Sequence, residues 1–405
     1  MKTAGIIAEY NPFHRGHAYH IAQTRAQGFD CIVCVMSGHF TQRGDVAVAS
    51  KWARAAMALR HGADLVVELP LTFALAPAER FARGGVALLH ALGCVDALSF
   101  GSETGRLEPL LEVAALLESG GPDGDIRRFL TQGISYAKAR EQAVRSQLGA
   151  AAECLTQPND TLGIEYLRAL SSLHCAMRPL VIPRRGARHD EQGERDGFRS
   201  ASHLRTLWQQ GAFTPEHLSE ESREILLTEH RCGRFPVFCS GLEPALLGLL
   251  RAAERGRYDA LPDLSEGLEN RLWRAVRQGC SLDEIHDLAR AKRYPLARIR
   301  RLCLYLALGI SAQDWIAQPP YLRLLGMNRR GSELLRLAKR TAQLPLISGA
   351  GDVASLDAAA QRQYTLECKA TDLYALACPR PMPCGSDQRH RLVKIGGWQT
   401  HKRSI

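Results

Sequence analysis

No stretch of the 405 residues reaches about 18 uninterrupted apolar side chains, so a membrane-spanning helix is not indicated. The N-terminus has one lysine and then enters a strand-like run. It lacks the apolar core and small-residue cleavage site of a secretory leader, so a cytoplasmic location with no membrane partner is expected. Three catalytic signatures are also missing. There is no G-x-x-x-x-G-K-[ST] phosphate loop and no G-x-G-x-x-G fingerprint after the first strand. Nor is there a G-x-S-x-G elbow, the usual marker of a serine hydrolase. No second CxxC pair accompanies Cys31 and Cys34, which sit three apart in a strand-like segment. Their side chains should point to opposite faces, a poor start for a zinc site. Cys378 and Cys384, with His390, are a slightly better metal candidate, still short of four ligands. The other cysteines are scattered, several inside apolar runs, as free thiols in a reducing compartment would be.

What is present is a chain long enough for two or three domains, 45% hydrophobic and 23% charged. The formal net charge is +10. Such a surplus suits a polyanionic partner, or else an arginine-rich solvated surface. The first 105 residues alternate short apolar runs with amphipathic ones. Thr3–Ala8, Cys31–Met36, Leu65–Leu69 and Ala97–Phe100 read as buried strands. Residues 16–27, 50–61 and 78–92 read as helices. This alternation predicts an α/β fold with a parallel sheet. Gly62 and Gly93 fall where helix C-caps belong. Residues 107–148 read as helix broken at 119–124, followed by a helix over 161–173 and a last strand over 180–183. Residues 191–197 read as an exposed loop. From about Gly211 the strand signal fades. Residues 211–377 read as a helical domain after a catalytic domain of residues 1–210, and residues 378–405 as a basic tail or loosely packed arm.

The sharpest signal is Glu9-Tyr10-Asn11-Pro12-Phe13-His14-Arg15-Gly16-His17, placed between a predicted strand and a predicted helix. Two histidines flanking a glycine at a helix start predict a cationic, donor-rich pocket. There, outward-pointing N–H groups and the helix dipole favour an anion. His14 and His17 are placed to stabilise charge that builds up during attack on the α-phosphate of a triphosphate. The structural alternative is a turn with two incidental histidines. A second loop, Ser37 to Asp45, follows the second strand, and ligands in parallel sheets sit beyond the carboxyl ends of strands. It offers Arg43 as a clamp for a phosphate or carboxylate, with Lys51 at the next helix start in a similar role. Either is otherwise a solvated cation. Gly101, at the end of the fourth strand, suits close backbone approach to a ribose or adenine. Asn159 opens a later helix, and Arg184 and Arg185 follow the last strand. Ser202 lies in a Ser-rich helix start, which reads either as an N-cap or as a second phosphate-binding element.

The HxGH turn with a late Ser/Arg helix resembles the nucleotidylyltransferase superfamily. The longer run is more specific. Glu9 to His17, Met36 to Gly44, Glu68-Leu69-Pro70, Phe100 to Glu103, Pro158 to Tyr166 and Lys292-Arg293-Tyr294 are similar to the tRNA(Met) cytidine acetate ligase family over most of the chain. The resemblance implies a Rossmann-like nucleotidylyltransferase domain followed by a mostly helical, tRNA-binding domain. It implies that ATP, with Mg2+, and acetate form acetyl-adenylate, and that the acetyl group passes to the wobble cytidine of elongator tRNA(Met). It implies a nucleotide site of Ile7, Ala8, Glu9, Tyr10, Asn11, Pro12, Phe13, His14, Gly16 and His17, with Gly101, Asn159, Arg184, Arg185 and Ser202. His39, Ser50, His203 and the stretch after Arg185 depart from the family pattern. Two other readings stay open: an HxGH adenylyltransferase acting on a small molecule, and an RNA-binding module that has lost catalysis.

Overall fold

The structure is a computed structural model and describes residues 1–184, 200–211, 213–214, 217–265 and 267–396. Strand β1 (Thr3–Ala8) runs into α1 (Arg15–Ala26) and β2 (Cys31–Ser37). A small hairpin follows, β3 (Phe40–Thr41) and β4 (Asp45–Val46), and then α2 (Lys51–Arg60), β5 (Leu65–Leu69), α3 (Leu71–Ala74), α4 (Ala78–Ala91) and β6 (Ala97–Ser102). Helices α5 (Leu107–Glu118), α6 (Asp123–Thr131), α7 (Tyr136–Leu148) and α8 (Pro158–Ser172) precede β7 (Arg178–Pro183) and α9 (Ala201–Gln209). Six helices come next: α10 (Glu220–Arg231), α11 (Glu243–Ala252), α12 (Arg255–Asp259), α13 (Leu268–Gln278), α14 (Leu282–Ala289) and α15 (Leu296–Leu308). The chain then returns through β8 (Leu322–Met327), α16 (Arg329–Thr341), β9 (Leu346–Ile347), α17 (Ala350–Val353), α18 (Ala358–Leu376), α19 (Ser386–Arg389) and β10 (Val393–Lys394).

The five strands expected from sequence lie side by side in one sheet, in the order β5-β2-β1-β6-β7, all parallel, with β7 at the edge. The near-continuous apolar runs of β1, β2, β5 and β6 reflect burial on both faces, whereas β7 is partly exposed. Cys31, Val33 and Val35 of β2 enter one core with α4 and α8, while Ile32, Cys34 and Met36 enter another with α2. Cys31 and Cys34 therefore lie on opposite sides of the sheet, as strand parity requires. The strand order reverses between β1 and β6, which opens a crevice at their carboxyl ends. Gly62 and Gly93 end α2 and α4 with φ of +99° and +66°. A Cβ on Gly93 would stand 2.5 Å from the Thr341 carbonyl oxygen.

The second half departs from expectation in part. It is mostly helical, as expected, but it is not set apart from the first half, because β8 joins the same sheet antiparallel to β5, flanked by β9 and β10. Nor are residues 378–396 a loose arm. Asp387 is buried, and β10 adds to the sheet edge. The expected loop at 191–197 lies outside the described residues.

A buried charge cluster anchors this return. Lys51 Nζ lies 2.8 Å from Glu68 Oε1 and Oε2 and 2.8 Å from Asp387 Oδ1. Arg323 of β8 reaches Glu68 at 3.3 Å, Glu367 of α18 at 2.7 Å and Asp387 at 2.6 Å. The Tyr321 hydroxyl donates to Glu367, and the Thr371 hydroxyl to Asp387. Burial, opposed by Arg323, pushes the Glu367 carboxyl up to about 7, while Lys51 and Arg323 overcome burial to hold Asp387 well below the usual range. Two cations, Lys51 and Arg323, thus face three carboxyl groups, of which Glu367 takes a proton more readily than a free carboxyl. This partnering lets buried charges persist.

Candidate nucleotide-binding site

A cavity of about 400 Å3 fills the crevice above β1 and β6. Its floor is the end of β1 and the loop into α1, where Tyr10 sits at φ +52°, a left-handed conformation that costs a bulky side chain free energy. Surrounding contacts hold it there. The Tyr10 hydroxyl pairs with Cys34 Sγ at 3.3 Å. Arg54 of α2, fully buried, donates to the Glu9 carbonyl at 2.6 Å, the Ser37 carbonyl at 3.1 Å and the Ala49 carbonyl at 3.0 Å, and also to the Gly38 carbonyl. One guanidinium thus ties the loop after β1 to the loop after β2. The Gln42 N–H donates to Glu9 Oε1 at 2.7 Å, which closes the same seam from the side chain.

The two motif histidines are built into the helix start. The Gly16 N–H donates to His14 Nδ1 at 3.0 Å, and the His14 N–H donates to His17 Nδ1 at 3.3 Å. The rings stack with centroids 3.9 Å apart. Gly16 has no room for a side chain, since a Cβ would meet the His14 ring at 2.8 Å. Burial, then Arg184 and Arg205, pushes His14 down to about 3; burial, then His14 and Arg184, holds His17 well below its ordinary value. The expectation of cationic imidazoles is therefore corrected: both are neutral at neutral pH. A neutral ring whose Nδ1 accepts carries its proton on Nε2, so each presents one N–H donor. The positive charge of the crevice comes from arginine.

Other walls converge on the same space. Glu103 caps the start of α8: its Oε2 accepts the Asp160 N–H at 3.0 Å, and its Oε1 accepts both the backbone N–H, at 3.4 Å, and the side-chain amide of Asn159. Asp160 answers in kind, accepting the Glu103 and Thr104 N–H groups at 3.1 Å each. This reciprocal bracket fixes Asn159, whose Oδ1 receives Arg184 Nη1 at 3.3 Å. Gly101 leaves a gap that Arg184 crosses, its Cγ 3.3 Å from where a Cβ would stand. At α9, Ser200 is the N-cap and accepts the His203 N–H at 3.2 Å, so Ser202 is not used as the cap. Ser202 receives Arg205 Nη2 at 3.3 Å, while Arg205 Nη1 donates to the Asn11 carbonyl at 2.6 Å.

The structure thus brings Ile7, Ala8, Glu9, Tyr10, Asn11, His14, Gly16, His17, Gly101, Asn159, Arg184, Ser202 and Arg43 to one cavity. Pro12 and Phe13 do not line it; both are buried, and Phe13 belongs to the core between the sheet and α2. Lys51 also stands outside. Its ammonium is spent on Glu68 and Asp387, so its expected role as a phosphate clamp is replaced by a structural one. Arg185 lies outside the described residues. Sequence reasoning missed His20, Tyr166 and Arg300. His20 Nε2 pairs with Ser99 Oγ at 2.9 Å, and burial, then Arg184, pushes His20 down to about 4. The one available signal was its position one turn after His17. Ser50, a departure from the family pattern, caps α2 by accepting the Ala53 N–H at 3.2 Å. His39, another departure, is buried against Tyr374 and bonded to Thr371 at 3.1 Å.

Among the described residues no three His, Cys, Asp or Glu side chains converge to hold a metal ion. Cys378 packs in the helical core, Cys384 is exposed and His390 stacks on Trp52, so that candidate set is not assembled. A Mg2+ that arrives with ATP would need no such cage, because phosphate oxygens and water can supply most of its ligands. No helix among the described residues is long and apolar enough to cross a membrane.

The three neutral imidazoles set an acid limit. Each takes a proton readily in the unfolded chain below about pH 6.5 but resists it when folded, so folding stability drops as pH falls from 6.5 toward 4. Urea midpoints should decline over that window, and less steeply in His20→Asn. An unchanged slope in the variant would remove His20 from the cause.

The model of the HIGH Nucleotidyl Transferase family matches residues 1–389. The tRNA(Met) cytidine acetate ligase of Acetivibrio thermocellus is 35% identical over 399 residues, covering 94% of this chain and 96% of that protein. The enzyme of the same name from Thermoanaerobacter sp. is 36% identical over 405 residues, covering 98% and 100%. Crystal structures of Thermotoga maritima TmcAL superpose with a TM-score of 0.91 for an apo form and 0.89 for a form bound with alpha-thio ATP, at 33% and 32% identity, each covering 98% of this chain and all of that one. By sequence and by fold, this chain belongs to the HIGH nucleotidyl transferases and, within them, to the tRNA(Met) cytidine acetate ligase family.

Proposed function

We propose that this chain is an ATP-dependent, AMP-forming ligase that activates acetate and acetylates the wobble cytidine of elongator tRNA(Met), giving N4-acetylcytidine. One observation carries the reading: two neutral imidazoles, each with Nε2–H available, sit at a helix N-terminus in the switch-point crevice. In the first step an acetate oxygen attacks the α-phosphorus of ATP and pyrophosphate departs. The two Nε2–H donors and the N-terminus of α1 meet the charge that builds on the α-phosphoryl oxygens. Asn159, Gly101 and Arg184 hold the nucleoside side, and Ser202 with Arg205 holds the far phosphates. In the second step the exocyclic amine of cytidine attacks the acyl carbon, AMP leaves and the amine loses one proton. Arg43, exposed at the rim, faces this second substrate. Residues 211–377 supply an RNA-docking surface, which the net charge of +10 supports.

The alternative, adenylyl transfer to a small molecule, predicts different products. ATP–pyrophosphate exchange should be measured across short carboxylic acids, with and without tRNA. Acetate-dependent exchange without RNA, followed by labelled acetyl on tRNA(Met), is the expected result. Exchange with another acid, and no label on RNA, would replace this reading.

A further inference from the structure

The helix turn that reaches the crevice from the second half of the chain carries three arginines, and they are not equivalent. Arg298 and Arg301 of α15 are tied to Asp263, at 3.3 Å and 3.2 Å. Arg301 also donates to the Gln42 carbonyl at 3.1 Å, which pins the β3–β4 hairpin against α15. The contact is tight. Gly44, at φ +74°, packs so closely that a Cβ there would stand 2.6 Å from Arg300 Cβ and 2.7 Å from the Arg301 nitrogen. The hairpin tip and α15 therefore form one wall, and that wall carries Arg43 and Arg300.

Both side chains line the cavity. Neither has a carboxylate partner or a side-chain hydrogen bond among the described residues, whereas Arg184 and Arg205 across the cavity are each held by protein oxygens. Two guanidiniums without a carboxylate partner on one wall of the cavity leave fork-shaped donors that can take two oxygens of one phosphate each. In the reading above, the triphosphate is assigned to the α1 and α9 helix starts.

Resting on the acetate-ligase reading, we infer that Arg300 and Arg43 form a phosphodiester clamp that grips the RNA backbone beside the acceptor base. The clamp makes the helical half part of the transfer site, and it makes acceptor binding separable from adenylate formation.

The test uses the full chain and splits the two half-reactions. Arg300→Gln should raise the KM for tRNA in acetyl transfer about tenfold. It should also lower the salt dependence of that KM by about 0.7 in the log–log slope, the share of one single-strand phosphate. The KM for ATP in acetate-dependent exchange should change less than twofold. Arg300→Lys keeps the charge but loses the fork, and should fall between the two. A tRNA KM and slope that stay at the wild-type values in both variants would overturn the clamp. So would an ATP KM that rises as far as the tRNA KM, which would assign Arg300 to the triphosphate. If the wild-type protein shows no acetate-dependent exchange at all, the underlying reading fails instead, and the two failures are distinct.

Discussion

Replacing His17 with alanine should lower acetate-dependent ATP–pyrophosphate exchange by about a hundred- to a thousandfold, the usual cost of losing one preorganised donor to a developing oxyanion. The site gives the loss two sources that can be told apart. The Nε2–H donor disappears, and so does the Nδ1 acceptor for the His14 N–H. The second is a capping interaction, worth about 1 kcal/mol of stability. His17→Asn restores a side-chain acceptor at the cap without placing a donor at the same depth. It should recover the thermal midpoint but little of the exchange rate. Near-wild-type exchange in His17→Ala would remove His17 from the chemistry. Full recovery by asparagine would mean that the imidazole serves only to shape the turn.

Replacing Arg323 with alanine should be the most destabilising single change outside the crevice. It strands Glu68, Glu367 and Asp387 with Lys51 as their one remaining cation. Breaking a buried charge pair from one side costs about 3–5 kcal/mol, to be read from urea unfolding. Glu367→Gln is the matched control. Burial already favours the protonated, neutral form of that carboxyl, so the neutral amide should cost less than the loss of Arg323, about 1 kcal/mol. Equal losses in the two variants would contradict the proposed charge distribution.

The parts of the fold legible in sequence are those with a local pattern. β1, β2, β5, β6 and β7 announce themselves as apolar runs, and the helix starting at Arg15 by its motif. α18, the longest helix among the described residues, falls within the stretch read as helical but has no pattern of its own that marks its bounds; its buried residues include Gln363, Glu367 and Thr371, which meet partners from Thr72, Arg323 and Asp387. Its buried residues, apolar ones such as Leu366, Ala370 and Leu373 among these polar ones, spread around the helix, so no single apolar stripe marks it. β8 was missed for a related reason: Arg323 interrupts a short apolar run and finds its partners only through contacts dozens to hundreds of residues away. In the site, residue identities were readable but protonation was not. Histidine charge depends on burial, and burial belongs to the folded chain. The misplacement of Lys51 has the same origin, since nothing near it in sequence names Asp387.

The sheet is completed only from the far end of the chain. β5 ends at Leu69, and its outer neighbour β8 begins at Leu322. During synthesis on the ribosome, the amino-terminal strands therefore emerge with an unpaired edge that waits for some 250 residues of later chain. Proteins stopped short of β8 by a premature stop codon would carry that edge permanently. They are expected to be cleared or to aggregate, and not to persist as half-enzymes.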